Sequence, residues 1–250
     1  MLFHSAQFLI FFPLATLIYF LIPRKGRGLW LLAVSYFFYL CWDPRYGLLL
    51  ALVTLLTYGT GLLIQRSGTK KGKKLWLTVS FAACLAVLGC FKYAVFILES
   101  LAALFSLAGV TLTWPQFSIL LPLGISFYLF QVLGYLVDVY RGKVEAEQNL
   151  LRYALFVAFF PKLVSGPIER AENLLPQMRD GQGEWGLGAS FDFDRMRRGL
   201  LLMVWGLFLK LVIADRAALL VDTVFPKYWE YNGLQLAVAA VCFSIQLRCV

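Results

Sequence analysis

The chain has 250 residues, is 60% hydrophobic and only 15% charged, and has a mean hydropathy of +0.74; that is too apolar to clothe a soluble domain in polar surface, so the composition reads as an integral membrane protein. Its formal net charge of +9 argues for no nucleic-acid partner, because the basic residues gather at Arg24, Lys25 and Arg27 and again at Arg66, Lys70, Lys71, Lys73 and Lys74, between apolar runs where topology signals and contacts with anionic lipid belong. Cys41, Cys84, Cys90, Cys242 and Cys249 lie in or beside apolar runs without ligand spacing, which reads them as small buried hydrophobes and argues against a disulfide framework or a metal site.

A bilayer core about 30 Å thick needs about 20 apolar residues per helix. Runs that qualify, or nearly so, are 6–22, 29–42, 48–64, 75–107, 117–140, 153–164, 196–213 and 234–250. The first has no basic residue before it and three after it, the reverse of a secretory signal, and is expected to be a retained helix with its N-terminus outside. The run 29–42 is short, so it is either tilted or broken. The run 75–107 exceeds one upright span, and with Lys92 and Glu99 inside it is expected to cross and then follow the interface. Basic clusters after the first and third runs alternate with the nearly neutral segments 43–47 and 109–116. This places the basic loops, and then 141–152, on the cytoplasmic side. No internal repeat or low-complexity linker interrupts the chain, which is expected to form a single membrane domain over 1–250.

In "LPLGISFYLFQVLGYLVDVYRG" the residues Gly124, Tyr128, Gln131, Tyr135 and Asp138 recur at steps of three and four, so one helical face is small or polar and should look into the protein. Asp138, near the helix end, either shares that face or snorkels to the interface. Gln131 at mid-span needs partners, because a buried amide is costly in hydrocarbon.

The stretch "FFPKLVSGPIERAENLLPQ", 159–177, sits among apolar runs yet must break its helix at Pro161 and at Gly166-Pro167. Backbone groups cannot stay unpaired in lipid, so at membrane depth such a segment is buried in protein or lines a water-filled cavity. Lys162, Ser165, Glu169 and Arg170 would then face that cavity, with Glu169 and Arg170 satisfying each other or a polar ligand. The alternative is an ordinary loop at the interface, its charges in water and Pro176 ending a short helix.

Farther on, "DGQGEWGLGAS" lacks the preceding strand and the lysine-serine ending of a phosphate loop and reads as a surface loop. Asp192 and Asp194 in "FDFDRMRRG" suit an N-cap and a first-turn charge. Trp205, Gly206 and Lys210 lie on a helix expected to end at Asp215 and Arg216, with Lys210 either snorkelling or pointing into a cavity.

Together "LPLGISFYLFQVLGYLVDVYRG", "FFPKLVSGPIERAENLLPQ", "RRGLLLMVWGLFLKLVIADR" and the earlier "FKYAVF" resemble the membrane-bound O-acyltransferases, in particular the bacterial branch typified by the alginate O-acetylation membrane subunit. The resemblance runs along nearly the whole chain and is weakest before Leu75. It implies an all-α fold: a polytopic transmembrane helical bundle with re-entrant or broken segments around a tunnel, in a bacterial inner membrane. It implies transfer of an acyl group, most plausibly acetyl, to hydroxyls of an extracytoplasmic polysaccharide or cell-wall polymer. The donor would be a thioester cosubstrate such as acyl-CoA or an acyl carrier protein, with no bound cofactor and with an acyl-accepting extracytoplasmic partner protein. Gln131, Lys162, Gly166, Pro167 and Arg170 match motif positions on the tunnel wall.

Such transfer needs a base to deprotonate the alcohol, and histidine suits it. The single histidine here is His4, in no family motif; the family's catalytic histidine follows a helix that this sequence begins with "FSIQLRCV". No catalytic residue is therefore assigned in this chain, which is expected to be the N-terminal part of a longer enzyme. Ser126 and Ser165 have no histidine partner and sit in no nucleophile elbow. Two other classes compete. A transporter or channel would fit the broken helix and polar stripe but calls for inverted repeats, and a non-catalytic membrane scaffold would need neither repeats nor a base.

Overall fold

The computed structural model describes residues 5–93, 96, 100, 105, 122, 124–163, 166–178, 187 and 191–249. Every regular element among them is helical. His4, Glu99, Ser165, Val250, most of the stretch from 94 to 123 and nearly all of the glycine-rich loop lie outside the described residues. The chain divides into two compact units, Met1–Ala189 and Ser190–Val250.

In the first unit the helices start where short polar side chains can accept from the first free amides. Ser5 does so for α1 (Ala6–Leu21), accepting from the Phe8 amide at 3.2 Å. A 3-10 turn, Arg24–Gly26, leads into α2 (Arg27–Leu40). Asp43 caps α3 (Pro44–Arg66) through the Arg45 amide at 2.9 Å, with Pro44 at the first helical position, where its missing N–H costs nothing. Thr69 caps α4 (Lys70–Leu88) through the Gly72 amide at 3.2 Å, and α4 runs on through a π-helical turn, Gly89–Tyr93. Arg66 of the second basic cluster therefore ends α3, and Lys70, Lys71, Lys73 and Lys74 lie in the start of α4 rather than in a loop, because the Thr69 cap starts the helix ahead of Lys70 and Lys71.

After Gly124, whose φ of 70° suits glycine, come α5 (Ile125–Tyr140), α6 (Leu150–Ala158), α7 (Phe160–Leu163) and α8 (Ala171–Gln177). Among the described residues only α3, and α4 with its π turn, are long and apolar enough to cross a membrane, with mean hydropathies of 2.0 and 1.8. Among the described residues α1 and α5 are shorter apolar helices, and the run 153–164 is cut in two. Apolar content alone does not set helix length when caps, proline and asparagine intervene.

The core forms where α5 packs with α3, α4 and α6, around Leu50, Ile64, Cys84, Val132, Leu136, Tyr153 and Phe156. On α3 the buried Thr54, Thr57 and Thr60 turn their hydroxyls back onto the Leu50, Val53 and Leu56 carbonyls at 2.7 to 2.9 Å, so a polar stripe is buried without leaving orphaned hydroxyls. Tyr153 adds a hydrogen bond from its hydroxyl to Thr57 Oγ1 at 2.9 Å. The opposite face of α3 exposes Leu48, Leu52 and Leu55, apolar surface that lipid accommodates better than water. A second cluster joins α1 to α2, with Phe8, Phe11 and Phe38 each within 6.5 Å of the Phe160 ring. Of the cysteines, Cys84 is buried but Cys41 and Cys90 are exposed, so the reading of all five as buried hydrophobes holds only in part.

In the second unit Asp192 caps α9 (Phe193–Phe208), accepting from the Arg195 amide at 3.1 Å, with Asp194 in the first turn. The amide holds the Asp192 carboxyl below the usual carboxylate range. The helix does not end at Asp215 and Arg216: a π-helical stretch, Leu209–Ala214, carries it into α10 (Asp215–Val224). A 3-10 turn, Phe225–Glu230, precedes α11 (Gly233–Cys249), which packs on α10. The extra residue of a π turn is a common way to continue a helix through a local misfit.

Where α3 meets α5, Gly61 leaves little room: an added Cβ would lie 3.1 Å from the Tyr135 ring and hydroxyl. Gly61→Ile is expected to destabilise the detergent-purified chain by about 1–3 kcal/mol through overpacking, read as a lower thermal midpoint. Gly59→Ala, whose Cβ meets nothing within 4 Å, is expected to leave the midpoint unchanged or raise it.

Candidate functional site

The site is built on the interruption between α6 and α7. The break falls at Phe159, with φ −55° and ψ 108°, two residues before Pro161. Continuation of α6 would drive the Pro161 ring against the Val157 carbonyl four residues back, so the helix ends first and Pro161 enters the first turn of α7, where no N–H is required.

Two side chains from other helices take up the backbone groups that the break releases. Ser35 Oγ, on α2, accepts from the Phe160 amide at 3.2 Å and donates to the Leu31 carbonyl at 2.7 Å. Gln131 Nε2, on α5, donates to the Phe156 carbonyl at 3.0 Å. Gln131 thus lies buried with its donor engaged.

Beyond α7 the chain folds back tightly on itself. The Gly166 amide donates to the Lys162 carbonyl at 3.1 Å, and a Cβ at Gly166 would stand 2.5 Å from Lys162 Cα, so only glycine fits. Lys162 is 7% exposed, with Nζ 4.4 Å from the centroid of the Phe156 ring. The ammonium is held over the aromatic face and has no hydrogen-bond partner among the described residues. Pro167 and Arg170 are exposed and Glu169 half-buried, and Arg170 precedes α8 without capping it.

Gln131, Tyr135, Asp138, Glu169 and Arg170 line one cleft of about 490 Å³ between α4, α5 and the segment 168–170. Its remaining wall is largely apolar, with Phe81, Leu85, Phe130 and Ile168. Tyr135 is buried, and its hydroxyl accepts from the Glu147 amide at 3.0 Å. Glu147 is itself buried: its Oε1 accepts from the Asn149 amide and from Arg152 Nη1, each at 3.0 Å.

The other predicted residues lie apart. Tyr128 is in the core and not on the cleft wall. Lys210 is in the second unit, where its Nζ pairs with Asp215 Oδ1 at 3.1 Å while both side chains stay partly exposed. Ser165 lies outside the described residues. Sequence reasoning missed Ser35, although it stands alone among apolar neighbours in "LAVSYFFYL", and it missed Arg141 and Lys143, which share the cleft. The cleft combines an apolar wall with charged side chains, and no histidine lines it among the described residues.

Similarity to known proteins extends over 99% of the chain. It is 38% identical over 249 residues to a protein of Azotobacter vinelandii named probable alginate O-acetylase AlgI, covering 48% of that relative. A Pseudomonas putida protein of the same name is 37% identical over 249 residues, with 49% of it covered. The peptidoglycan O-acetyltransferase of Helicobacter pylori is 30% identical over 277 aligned positions, with 51% covered. The chain spans about half the length of these curated relatives. No family model and no solved structure matches it. The resemblance to the alginate O-acetylation branch, read from the four motifs, is shown by these relatives.

Ser35→Ala leaves the Phe160 amide buried without its acceptor, and Gln131→Leu does the same to the Phe156 carbonyl. Each is expected to lower stability by about 1–3 kcal/mol, seen as an earlier thermal transition in detergent. A transition unmoved in both would mean that the break does not depend on these bonds.

Proposed function

We propose that the chain supplies part of a membrane O-acyltransferase that moves an acetyl group from a thioester donor to hydroxyls of an extracytoplasmic polysaccharide or cell-wall polymer. The observation that carries this reading is the similarity over 99% of the chain to relatives named alginate O-acetylase and peptidoglycan O-acetyltransferase. In this reading the chain is a multi-pass protein of a bacterial inner membrane with its N-terminus outside, and helical bundle and broken segment together wall a tunnel. Coverage of about half of each relative fits an active enzyme that includes sequence beyond this chain, with the catalytic base among it.

Within that enzyme the chain's own residues would position rather than react. The break at Phe159, with its backbone groups taken up by Ser35 and Gln131, gives a polar lining at membrane depth without exposing unpaired amides to lipid. Lys162 brings a buried amine that has no hydrogen-bond partner among the described residues. Glu169 and Arg170 stand where the segment leaves α7 for α8 and line the cleft. The acetyl group would pass on to an extracytoplasmic accepting partner, with acyl-CoA or an acyl carrier protein as donor and no bound cofactor.

Deleting the gene that encodes this chain is expected to remove O-acetyl esters from the exported polymer, measured by NMR of the purified polysaccharide and cell wall; an unaltered ester content defeats the reading. Arg170→Ala in the complete enzyme is expected to slow transfer to the native acceptor by about tenfold, equivalent to ~1.4 kcal/mol in the barrier, while membrane insertion stays intact. Undiminished transfer would remove Arg170 from the tunnel wall.

A further inference from the structure

At one end of the cleft beside α5, Arg141 and Lys143 have no part in the proposed acyl transfer. Three exposed cations, Arg141, Lys143 and Arg170, line it together with the carboxylates of Asp138 and Glu169. Three positive and two negative groups leave a net charge of +1 there. Arg141 and Lys143 follow the C-terminus of α5, where the helix dipole adds to the attraction for cations and fixes them at that end. No side-chain hydrogen bond or ion pair engages the three cations among the described residues.

From that charged end the cleft follows α5 inward. Arg141 and Gln131 are ten residues apart, about 15 Å along a helix, roughly half the thickness of a hydrocarbon core. Over that length the wall, apart from Gln131, Tyr135 and Asp138, is apolar. Two of its members, Leu85 at 51% and Phe130 at 50% exposure, turn to the outside of the unit. In a membrane that side is reached from lipid and not from water. At Gly134 an added Cβ would meet nothing within 4 Å, so space is open along the helix there. The cleft's volume of about 490 Å³ is within the range that holds small ligands.

We propose that this cleft binds an anionic phospholipid carrying a single phosphodiester, with the phosphate at Arg141, Lys143 and Arg170 and one acyl chain laid along Leu85, Phe130 and Gly134. The net charge of +1 matches one phosphodiester, whereas a zwitterionic headgroup would leave it uncompensated. Basic residues beside an anionic leaflet gain from the surface potential as well, and Arg141 and Lys143 fall in the segment expected on the cytoplasmic side. A phosphate on a soluble molecule shares the headgroup chemistry, but the lipid-facing wall favours the lipid. The site shares Arg170 with the proposed acyl transfer, but its lipid preference is read without any transfer, so either reading can fail alone.

The test uses the purified chain in nanodiscs of phosphatidylcholine containing a minor fraction of phosphatidylglycerol, with retained lipid counted by native mass spectrometry. Phosphatidylglycerol is expected to be retained over phosphatidylcholine by about tenfold. The preference should fall severalfold in Lys143→Gln, be lost when Arg141, Lys143 and Arg170 are all changed to glutamine, and be lost also in Gly134→Leu, which fills that space and leaves every charge in place. Circular dichroism checks that each variant is folded, and Gly134→Leu, on an open helix face, keeps the test decisive if the triple variant is not. Equal retention of the two lipids, or a preference that survives Gly134→Leu, overturns the proposal. Displacement of phosphatidylglycerol by coenzyme A assigns the cations to a soluble phosphate donor and overturns the lipid assignment.

Discussion

The first unit depends on how it satisfies the backbone at Phe159. An interruption inside an apolar run leaves amides and carbonyls that hydrocarbon cannot solvate, and each such group costs more than a typical side-chain contact returns. Ser35 comes from α2 and Gln131 from α5, one on each side of the break. The two helices are therefore held in place by the segment that they repair. Around them the same economy recurs: the α3 threonines bond to their own helix, and Tyr153 closes onto Thr57. Along α3 and around the break the interior hydroxyls are paired in this way, whereas the buried hydroxyls of Tyr39, Ser80 and Tyr128 have no hydrogen-bond partner among the described residues.

This arrangement explains why α5 occupies the centre. Its inward face combines Gln131 and Tyr135, which bond to α6 and to the 141–149 segment, with Leu129, Val132 and Leu136, which pack in the core. One helix thus serves packing, backbone repair and the cleft wall. The break displaces the chain so that Glu169 and Arg170 come alongside α5. The 168–170 segment could not reach that position from a continuous helix over 153–164, whose axis would carry it about 1.5 Å farther along with each residue.

The helical class, the membrane character, the small-or-polar face at Gly124 to Asp138 and the Asp192 cap were legible in the sequence, because each rests on local periodicity or on a cap one turn away. Helix lengths were less so. The run 153–164 reads as apolar throughout, and Pro161 marks the interruption but not its position, since the clash acts on the carbonyl four residues earlier. The α9 helix was expected to stop at Asp215 because a π turn, which carries it onward, has no signature in hydrophobic spacing. Lys210 could not be placed from spacing alone; its partner, Asp215, lies five residues on, a separation that an ordinary α-helix does not bring together but a π turn does. At the cleft, Gln131 and Arg170 were visible as residues out of keeping with their surroundings. Arg141 and Lys143 were not, since as part of a charged loop they looked like topology signals, and only the fold brings them beside Arg170. Ser35 was hidden because a lone serine in an apolar helix usually bonds to its own backbone, which it also does here.

Tyr135 joins two contacts that lie one helical turn apart on α3. Its ring sits against Gly61, and its hydroxyl holds the Glu147 amide, while Gln65, four residues beyond Gly61, accepts from the Ala146 amide at 2.9 Å. A shift of α3 by one turn, about 5.4 Å, would bring Gln65 to the place where even a Cβ crowds Tyr135 and would leave the Ala146 amide without an acceptor. The pair works as a vernier: two marks at known spacing that agree in a single alignment, so the axial position of α3 is set by geometry even though the apolar surfaces around it could slide with little change in buried area.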